Sequence, residues 1–373
     1  MKSFYLSLIF IIFSLVVFSQ DNHFVITGKV IDKSTQQPLT GASVFAQNTT
    51  FGVATNAEGE FRLKLPNGGY ILVVSFTGYE TESIRITNAS EEKNLVIEIS
   101  PKEKSLEEVS VVSSNAVKDG WDKYGQFFTE NFVGKSAFSL QTIIKNPEVL
   151  KFYFSKKRNR LKVLADEPLI VENFALGYII KFAIDSFTYE YETNTAQFIG
   201  YPLFEEMLGT AEKGIVWHQN RIKAYKGSLL HFMRSLYNKT MVQEEFEIQF
   251  LVKNNDREQT IPLKNPYLAL NYLKDDSSNI VEFNPNQPHV IVIYNKAKPE
   301  VNYLEFDPKA KKDFQVSTLT IMPGEIITIE ENGYFYEQAD IITNGYWGFL
   351  KIGDMLPYDY QPGPGSIKSS LDK

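Results

Sequence analysis

Hydrophobic and polar positions alternate with a period of two along much of this chain, the signature of half-buried strands. The clearest run sets Phe61, Leu63 and Leu65 against Glu60, Arg62 and Lys64. Phe24 and Ile26 show the same spacing. Pro38 and Gly41 then break the chain, and Ala42-Ser43-Val44-Phe45 restarts the alternation. Asn56-Ala57-Glu58-Gly59 predicts a turn in which Asn56 bonds its own backbone and Gly59 takes a positive φ. Asn67-Gly68-Gly69 predicts a second, and Gly78 between Phe76 and Tyr79 a close turn or bulge. Roughly seven short strands with frequent turns over residues 21–100 amount to an all-β sandwich.

The pattern changes on both sides of that block. Before it, Lys2 precedes an almost unbroken apolar run from Phe4 to Phe18, and Ser19-Gln20 leads into Asp21-Asn22. This predicts a signal peptide over residues 1–20, with an uncleaved N-terminal anchor as the alternative. After the block, residues 101–118 form a linker. Residues 119–260 then alternate elements of both kinds. A short amphipathic helix is predicted over 121–128, reaching Phe132, and strands over 149–155, 161–165, 169–171, 178–192, 196–201 and 246–252. Residues 202–214 are turn-rich. Over 215–238 the residues Ile222, Tyr225, Leu229, Phe232 and Leu236 recur at helical steps, with Gly227 as an interruption. Residues 261–360 are β-rich, either a separate segment or a continuation of the preceding domain. Strands are predicted there over 289–294, 301–306, 316–321, 326–329 and 339–343, with a hairpin turn at Asn332-Gly333. Residues 361–373 make a flexible tail.

Four marks fall within the first block: Gly28-Lys29-Val30-Ile31-Asp32, Pro38-Leu39-Thr40-Gly41-Ala42-Ser43-Val44, Thr55-Asn56-Ala57-Glu58-Gly59-Glu60-Phe61, and Ser75-Phe76-Thr77-Gly78-Tyr79-Glu80. With them the block resembles the carboxypeptidase regulatory-like domain, a small transthyretin-like β-sandwich. The resemblance implies a non-catalytic module that docks a partner. The following Leu106-Glu107-Glu108-Val109-Ser110-Val111-Val112 is similar to the stretch after this domain in TonB-dependent outer-membrane receptors. The chain beyond it is far too short for the large barrel of those transporters. The region after the linker is similar to uncharacterised envelope proteins that carry the same sandwich. The residues behind that likeness are Asn146-Pro147, Glu167-Pro168-Leu169-Ile170, Asn173 with Leu176-Gly177-Tyr178, Gly200 to Phe204, Trp217, Arg221, Ala224-Tyr225, Gly227-Ser228 and His231-Phe232. It carries over an architecture and no activity.

Composition narrows the chemistry. The formal charge of −7 gives no basic stripe for nucleic acid. With no cysteine in the chain, disulfides, thiolate catalysis, cysteine metal sites and a lipid-anchored N-terminal cysteine all drop out. The histidines are His23, His218, His231 and His289, and none stands in a zinc-binding spacing. Gly227-Ser228-Leu229 lacks the second glycine of a nucleophile elbow, and no phosphate-binding loop is present. No cofactor, metal or catalytic residue is therefore expected.

The densest polar and aromatic cluster is Trp217, His218, Arg221, Tyr225, Ser228, His231 and Arg234. On one helix Trp217, Arg221 and Tyr225 share a face, with Ser228 close by. Trp217, Arg221, Tyr225, Ser228 and His231 are thus the candidate ligand surface, suited to sugars or anionic groups. The competing reading packs this helix on the sheet, with Arg221 pairing Glu205 or Glu206. Ser228 and His231 lack an orienting acid. Asp185, Glu190, Glu192, Glu205 and Glu206 are available for an acid pair. Asp354, Asp359, Glu330 and Glu331 are available for calcium, but no calcium-loop pattern accompanies them.

The expected fold is mainly β: an N-terminal transthyretin-like β-sandwich followed by an α+β, strand-rich C-terminal region. The expected function is that of a non-enzymatic exported protein, in the periplasm or associated with the outer membrane, with no transmembrane helix after signal cleavage. Its partner would be a cell-envelope protein or glycan, and no nucleic acid. A hydrolase with carboxylate chemistry in 119–360 and an accessory of TonB-type outer-membrane transport are the alternatives.

Overall fold

A computed structural model describes residues 23–87, 94–102, 115–254, 257–336 and 338–363. The predicted signal peptide, the TonB-receptor-like stretch at 106–112 and most of the tail lie outside the described residues. The chain is mainly β.

Seven strands build the N-terminal sandwich: β1 (His23–Asp32), β2 (Ser43–Ala46), β3 (Gly52–Ala54), β4 (Glu60–Pro66), β5 (Tyr70–Ser75), β6 (Glu82–Ile86) and β7 (Asn94–Ile99). They form two sheets, β4-β1-β7 and β3-β2-β5-β6. Along β4 the alternation seen in the sequence becomes alternating burial, with Phe61, Leu63 and Leu65 inside. The resemblance marks each close a turn. Asn56 Oδ1 accepts the Glu58 and Glu60 amides at 3.1 and 2.7 Å. Gly59 has φ +74°, and a Cβ there would lie 2.6 Å from the Val30 carbonyl. Asp32 takes the Ser34 and Thr35 amides on one oxygen and the Tyr79 hydroxyl, at 2.6 Å, on the other. The first and last marks are thus joined by a hydrogen bond.

The second region places α1 (Gly120–Phe132) on a six-stranded sheet of β8 (Thr142–Ile144), β9 (Leu150–Ser155), β10 (Arg160–Ala165), β11 (Leu169–Asn173), β12 (Tyr178–Glu190) and β13 (Thr195–Glu206). Phe128 and Phe132 of α1 stack on each other and meet Phe187 and Phe182 edge-on. β13 continues to Glu206, several residues into the stretch expected to be turns.

Two helices follow where the spacing predicted one run: α2 (Ala211–Tyr225) and α3 (Leu229–Tyr237). Lys226, Gly227 and Ser228 separate them. Gly227 has φ +79°, and a Cβ on it would strike Gln315 Oε1 at 2.3 Å and the Tyr294 ring at 2.6 Å. Its carbonyl accepts the Trp347 indole N–H at 2.6 Å. Ser228 restarts the helix by accepting the His231 amide at 3.1 Å, as an N-cap.

The third region has its own core, to which α3 gives Phe232, Met233 and Leu236. Its strands are β14 (Phe246–Asn254), β15 (Arg257–Pro262), β16 (Leu273–Asp275), β17 (Ile280–Phe283), β18 (His289–Tyr294), β19 (Gln315–Ile321), β20 (Ile327–Glu330) and β21 (Ile341–Gly345). They form the sheets β15-β14-β18-β19-β21 and β16-β17-β20. β14 pairs with β18, so it belongs to this sheet rather than to that of the second region. Residues 301–306, expected as a strand, are instead a helix, Val301–Phe306. Six residues are too few to separate the two periods, and here the turn of helix carries Tyr303 edge-on against Tyr346 at 5.1 Å.

The three regions meet around one sandwich loop. Asn48 N–H donates to the Pro202 carbonyl at 2.7 Å, and Phe204 N–H to the Thr49 carbonyl at 2.9 Å. Phe45 and Val73 pack on Leu203 beside them. Residues 351–362 run back across this junction as a strap. Gly353 binds Val133 and Asn173, and Tyr358 N–H donates to the Asn48 carbonyl at 2.7 Å.

Candidate functional site

The five candidate residues do not form one surface. Trp217 and Arg221 face the turn between β11 and β12. The Trp217 indole donates to the Phe174 carbonyl at 2.9 Å, and its ring lies over Gly177 and Gly209, where any Cβ would collide with it. The Arg221 guanidinium donates to the carbonyls of Leu176 (2.8 Å) and Gly177 (3.1 Å) and to Glu206 (2.8 Å). It also covers the Tyr178 ring at 3.9 Å. The indole and each guanidinium nitrogen of this pair donate within the chain, and of the two acids weighed for Arg221 it is Glu206 that pairs with it.

Tyr225 ends α2, Ser228 lies in the break and His231 in the first turn of α3; Tyr225 and His231 line a cleft of about 580 Å³. Its walls come from the end of α2, from α3, from the loop carrying Thr240 and Glu244, from Tyr294 at the end of β18 and Lys296 just after it, and from Gln361 and Pro362 of the strap. Ring contacts hold the floor together: His231 lies tilted against Tyr225 at 4.7 Å and edge-on to Tyr294 at 5.7 Å between centroids.

His231 is 5% exposed. Its Nδ1 accepts the Gly227 amide at 3.2 Å, which leaves the proton on Nε2. That nitrogen points at Glu244 Oε2, 3.3 Å away. Burial pulls the imidazole down to about 4 and outweighs the opposing pull of Glu244, so the ring is neutral around pH 7. Ser228 Oγ is already the cap of α3. Ser228 Oγ thus faces the His231 amide, both ring nitrogens are assigned, and the acid that the sequence did not show beside His231 is Glu244. Arg234 lines the same wall and is tied to the backbone, donating to the carbonyls of Asn332, Tyr360 and Tyr358 at 2.8, 2.9 and 2.9 Å. What the cleft offers a ligand is the outer edge of Glu244, Glu331, and the ammonium groups of Lys226 and Lys296.

Three of the acids considered for a catalytic pair are each tied to a basic side chain. Along β12 and β13, Glu190 pairs with Arg160, Glu205 with Lys181 and Glu206 with Arg221. Asp359 and Glu330 are drawn into the sandwich junction, where Asp359 accepts the Thr50 amide and hydroxyl and Glu330 the Gly69 amide. Among the described residues no group of three or more histidine, aspartate or glutamate side chains is gathered for a metal ion.

A family model of the CarboxypepD_reg-like domain matches residues 26–111. This agrees with the resemblance carried by the four sequence marks and with the two-sheet sandwich of β1–β7. Comparison with curated proteins gives no match. Among solved structures the chain is similar to a Bacteroides fragilis protein of unknown function, at 15% identity and TM-score 0.18, over 43% of this chain and 65% of that one. The chain thus spans less than two thirds of that protein. A DUF3823 family protein from Bacteroides ovatus aligns at 12% identity and TM-score 0.17, over 72% and 89% of the two chains. A Cyanothece 9R-lipoxygenase aligns at 10% identity and TM-score 0.15, over 58% and 48%. At such scores these likenesses carry no argument about fold or activity. No helix of the described residues is long and apolar enough to cross a membrane.

Glu244, Tyr294, Lys296 and Gln361 were not among the candidate residues read from the sequence. They come from a loop, a strand end and the strap, and no local spacing links them to Tyr225 or His231. The one signal pointing here was Gly227, which marks the place where the helical run turns and the cleft opens.

Proposed function

We propose that the chain is a non-enzymatic, exported cell-envelope protein that binds a protein or glycan partner, with the cleft beside His231 as its ligand site. The observation that carries this reading is the state of the groups in the cleft. Ser228 caps a helix, His231 is neutral with both nitrogens engaged, and each nitrogen of Arg234 donates to a backbone carbonyl. Fixed donors and acceptors around packed aromatic rings favour recognition, whereas acid–base work needs a group free to take and give a proton. Export is inferred from the apolar run between Lys2 and Asp21, and the non-catalytic character from the regulatory-like sandwich.

The test is calorimetric titration of the mature chain with envelope glycans and short envelope peptides, set beside a Glu244→Gln/Lys296→Ala variant. Both side chains are about two-fifths exposed, so the fold should survive. Saturable binding by the wild type, weakened tenfold or more in the variant, is the expected result. Equal binding by both, or binding by neither, removes the cleft from consideration. Turnover of a glycan or peptide in the same assay would move the protein to the hydrolase class.

A further inference from the structure

The strap touches both the cleft and the sandwich. At one end Gln361 and Pro362 form part of the cleft wall. Just before them, Arg234 holds the Tyr358 and Tyr360 carbonyls, both at 2.9 Å. This arginine is buried and one helical turn from His231, so the same side chain fixes the strap and the wall of the cleft. Between those two carbonyls the strap reaches the sandwich. Tyr358 N–H donates to the Asn48 carbonyl at 2.7 Å, and the Asp359 carboxylate accepts the Thr50 amide at 2.9 Å and its hydroxyl at 2.5 Å. A second anchor lies alongside. The Glu330 carboxylate, 4% exposed, accepts the Gly69 amide and the Tyr336 hydroxyl, and Arg85 of the sandwich lies over the Tyr336 ring at 4.0 Å. The Tyr336 and Tyr358 rings both pack on Tyr334, and the Asn332 carbonyl two residues before Tyr334 is the third group held by Arg234.

Successive residues of the strap therefore point to opposite clients, with no slack between them. Buried hydrogen bonds of this kind shift as a set, because leaving one member unpaired is costly. We propose that the strap transmits the seating of the sandwich to the cleft, so that a partner which turns or loosens the sandwich reshapes the wall formed by Arg234, Gln361 and Pro362. The physical element shared by the two sites is the Tyr358–Tyr360 backbone, held on one side by Arg234 and on the other by Asn48 and Thr50. This deepens the binding role proposed for the cleft and rests on it, but the coupling itself can be read without any ligand.

The experiment is NMR of the full mature chain, following the His231 imidazole nitrogens and the Arg234 Nε–H. Wild type is compared with Thr50→Val, Asp359→Asn and Arg85→Ala, with Arg62→Ala on the far sheet of the sandwich as control. Thr50→Val and Asp359→Asn weaken the strap contact, and Arg85→Ala loosens the second anchor from a half-exposed position should either of the others fail to fold. Shifts of the His231 and Arg234 signals in these variants, absent in the control, are expected. Changes confined to residues 47–51 and the strap, with His231 and Arg234 at their wild-type positions, overturn the proposal. A coupled cleft that binds no glycan or peptide would reject the ligand reading alone.

Discussion

Asp354 shows how much one enclosed side chain decides. Its carboxyl accepts from Ser139 Oγ and the Lys351 amide, each at 3.3 Å, yet burial outweighs these bonds and pushes it up to about 7 from an ordinary 3.8. The charge of Glu300 adds to the shift. A carboxyl raised on folding contributes stability that is complete below about pH 3.8 and is lost as the pH climbs through 7. Asp354→Asn keeps the shape and removes the charge. Thermal melts should therefore show the variant more stable than wild type at pH 8, by an amount on the order of 2 kcal/mol, with the gap closing toward pH 4. A gap that stays constant across this range would mean that the aspartate is not protonated by its surroundings. His231 works in the opposite sense: lowered to about 4, it contributes stability above pH 6.5 that is lost as the pH falls through 4. The neutral amide at position 354 leaves that acid limb in place, so the acid side of the profile should be the same in both proteins.

At the scale of elements, the helical face shared by Trp217 and Arg221 proves to be a clamp. α2 reaches over the β11–β12 turn and donates to four carbonyls there, those of Phe174, Ala175, Leu176 and Gly177. Arg221→Ala takes the guanidinium from the Leu176 carbonyl and from Glu206, leaves the Gly177 carbonyl with the Met207 amide alone, and uncovers Tyr178. A loss of about 2–3 kcal/mol in urea denaturation is expected, with ligand affinity at the His231 cleft unchanged. A stable variant that loses binding would return Trp217 and Arg221 to the ligand surface. The spacing in the sequence placed these residues on one face; what that face meets depends on a turn some 40 residues earlier, which no helical period encodes. The sandwich was legible almost strand by strand because its marks are local: Asn56 bonds Glu58 and Glu60, and Gly59 allows the turn. Asp32 and Tyr79 were legible as marks, though not as partners. The helix break was visible as Gly227, while the reason for it, the crowding by Gln315 and Tyr294, lies in later strands. Val301–Phe306 went the other way because six residues of mixed apolar and polar character fit either period until Tyr303 has a neighbour.

For the molecule as a whole, the consequence of the junction is cooperativity. A sandwich tethered by a linker alone would melt independently of the rest. Here its loop pairs with β13 on one side and with the strap on the other, Phe45 and Val73 share a small core with Leu203, and Glu330 buries a carboxylate against the sandwich backbone. Separating the two parts exposes that apolar core, takes Thr50 from Asp359, and takes Gly69 and Arg85 from Glu330, which keeps the Tyr336 hydroxyl. Each carboxylate left short of a partner costs on the order of 1–3 kcal/mol, a sizeable share of the stability of a single domain. The sandwich and the C-terminal region should therefore unfold together, in one calorimetric transition, although they have separate cores. Asp359→Asn combined with Arg85→Ala weakens both anchors while leaving each core intact, and should split the transition into two, the smaller with the enthalpy of a domain the size of the sandwich. Two transitions already present in the wild type would show that the junction holds the parts in place without joining their stabilities. A single transition that persists in the double variant would put the cooperativity in the Phe45–Leu203 contact, and Leu203→Ala is then the substitution that should divide it.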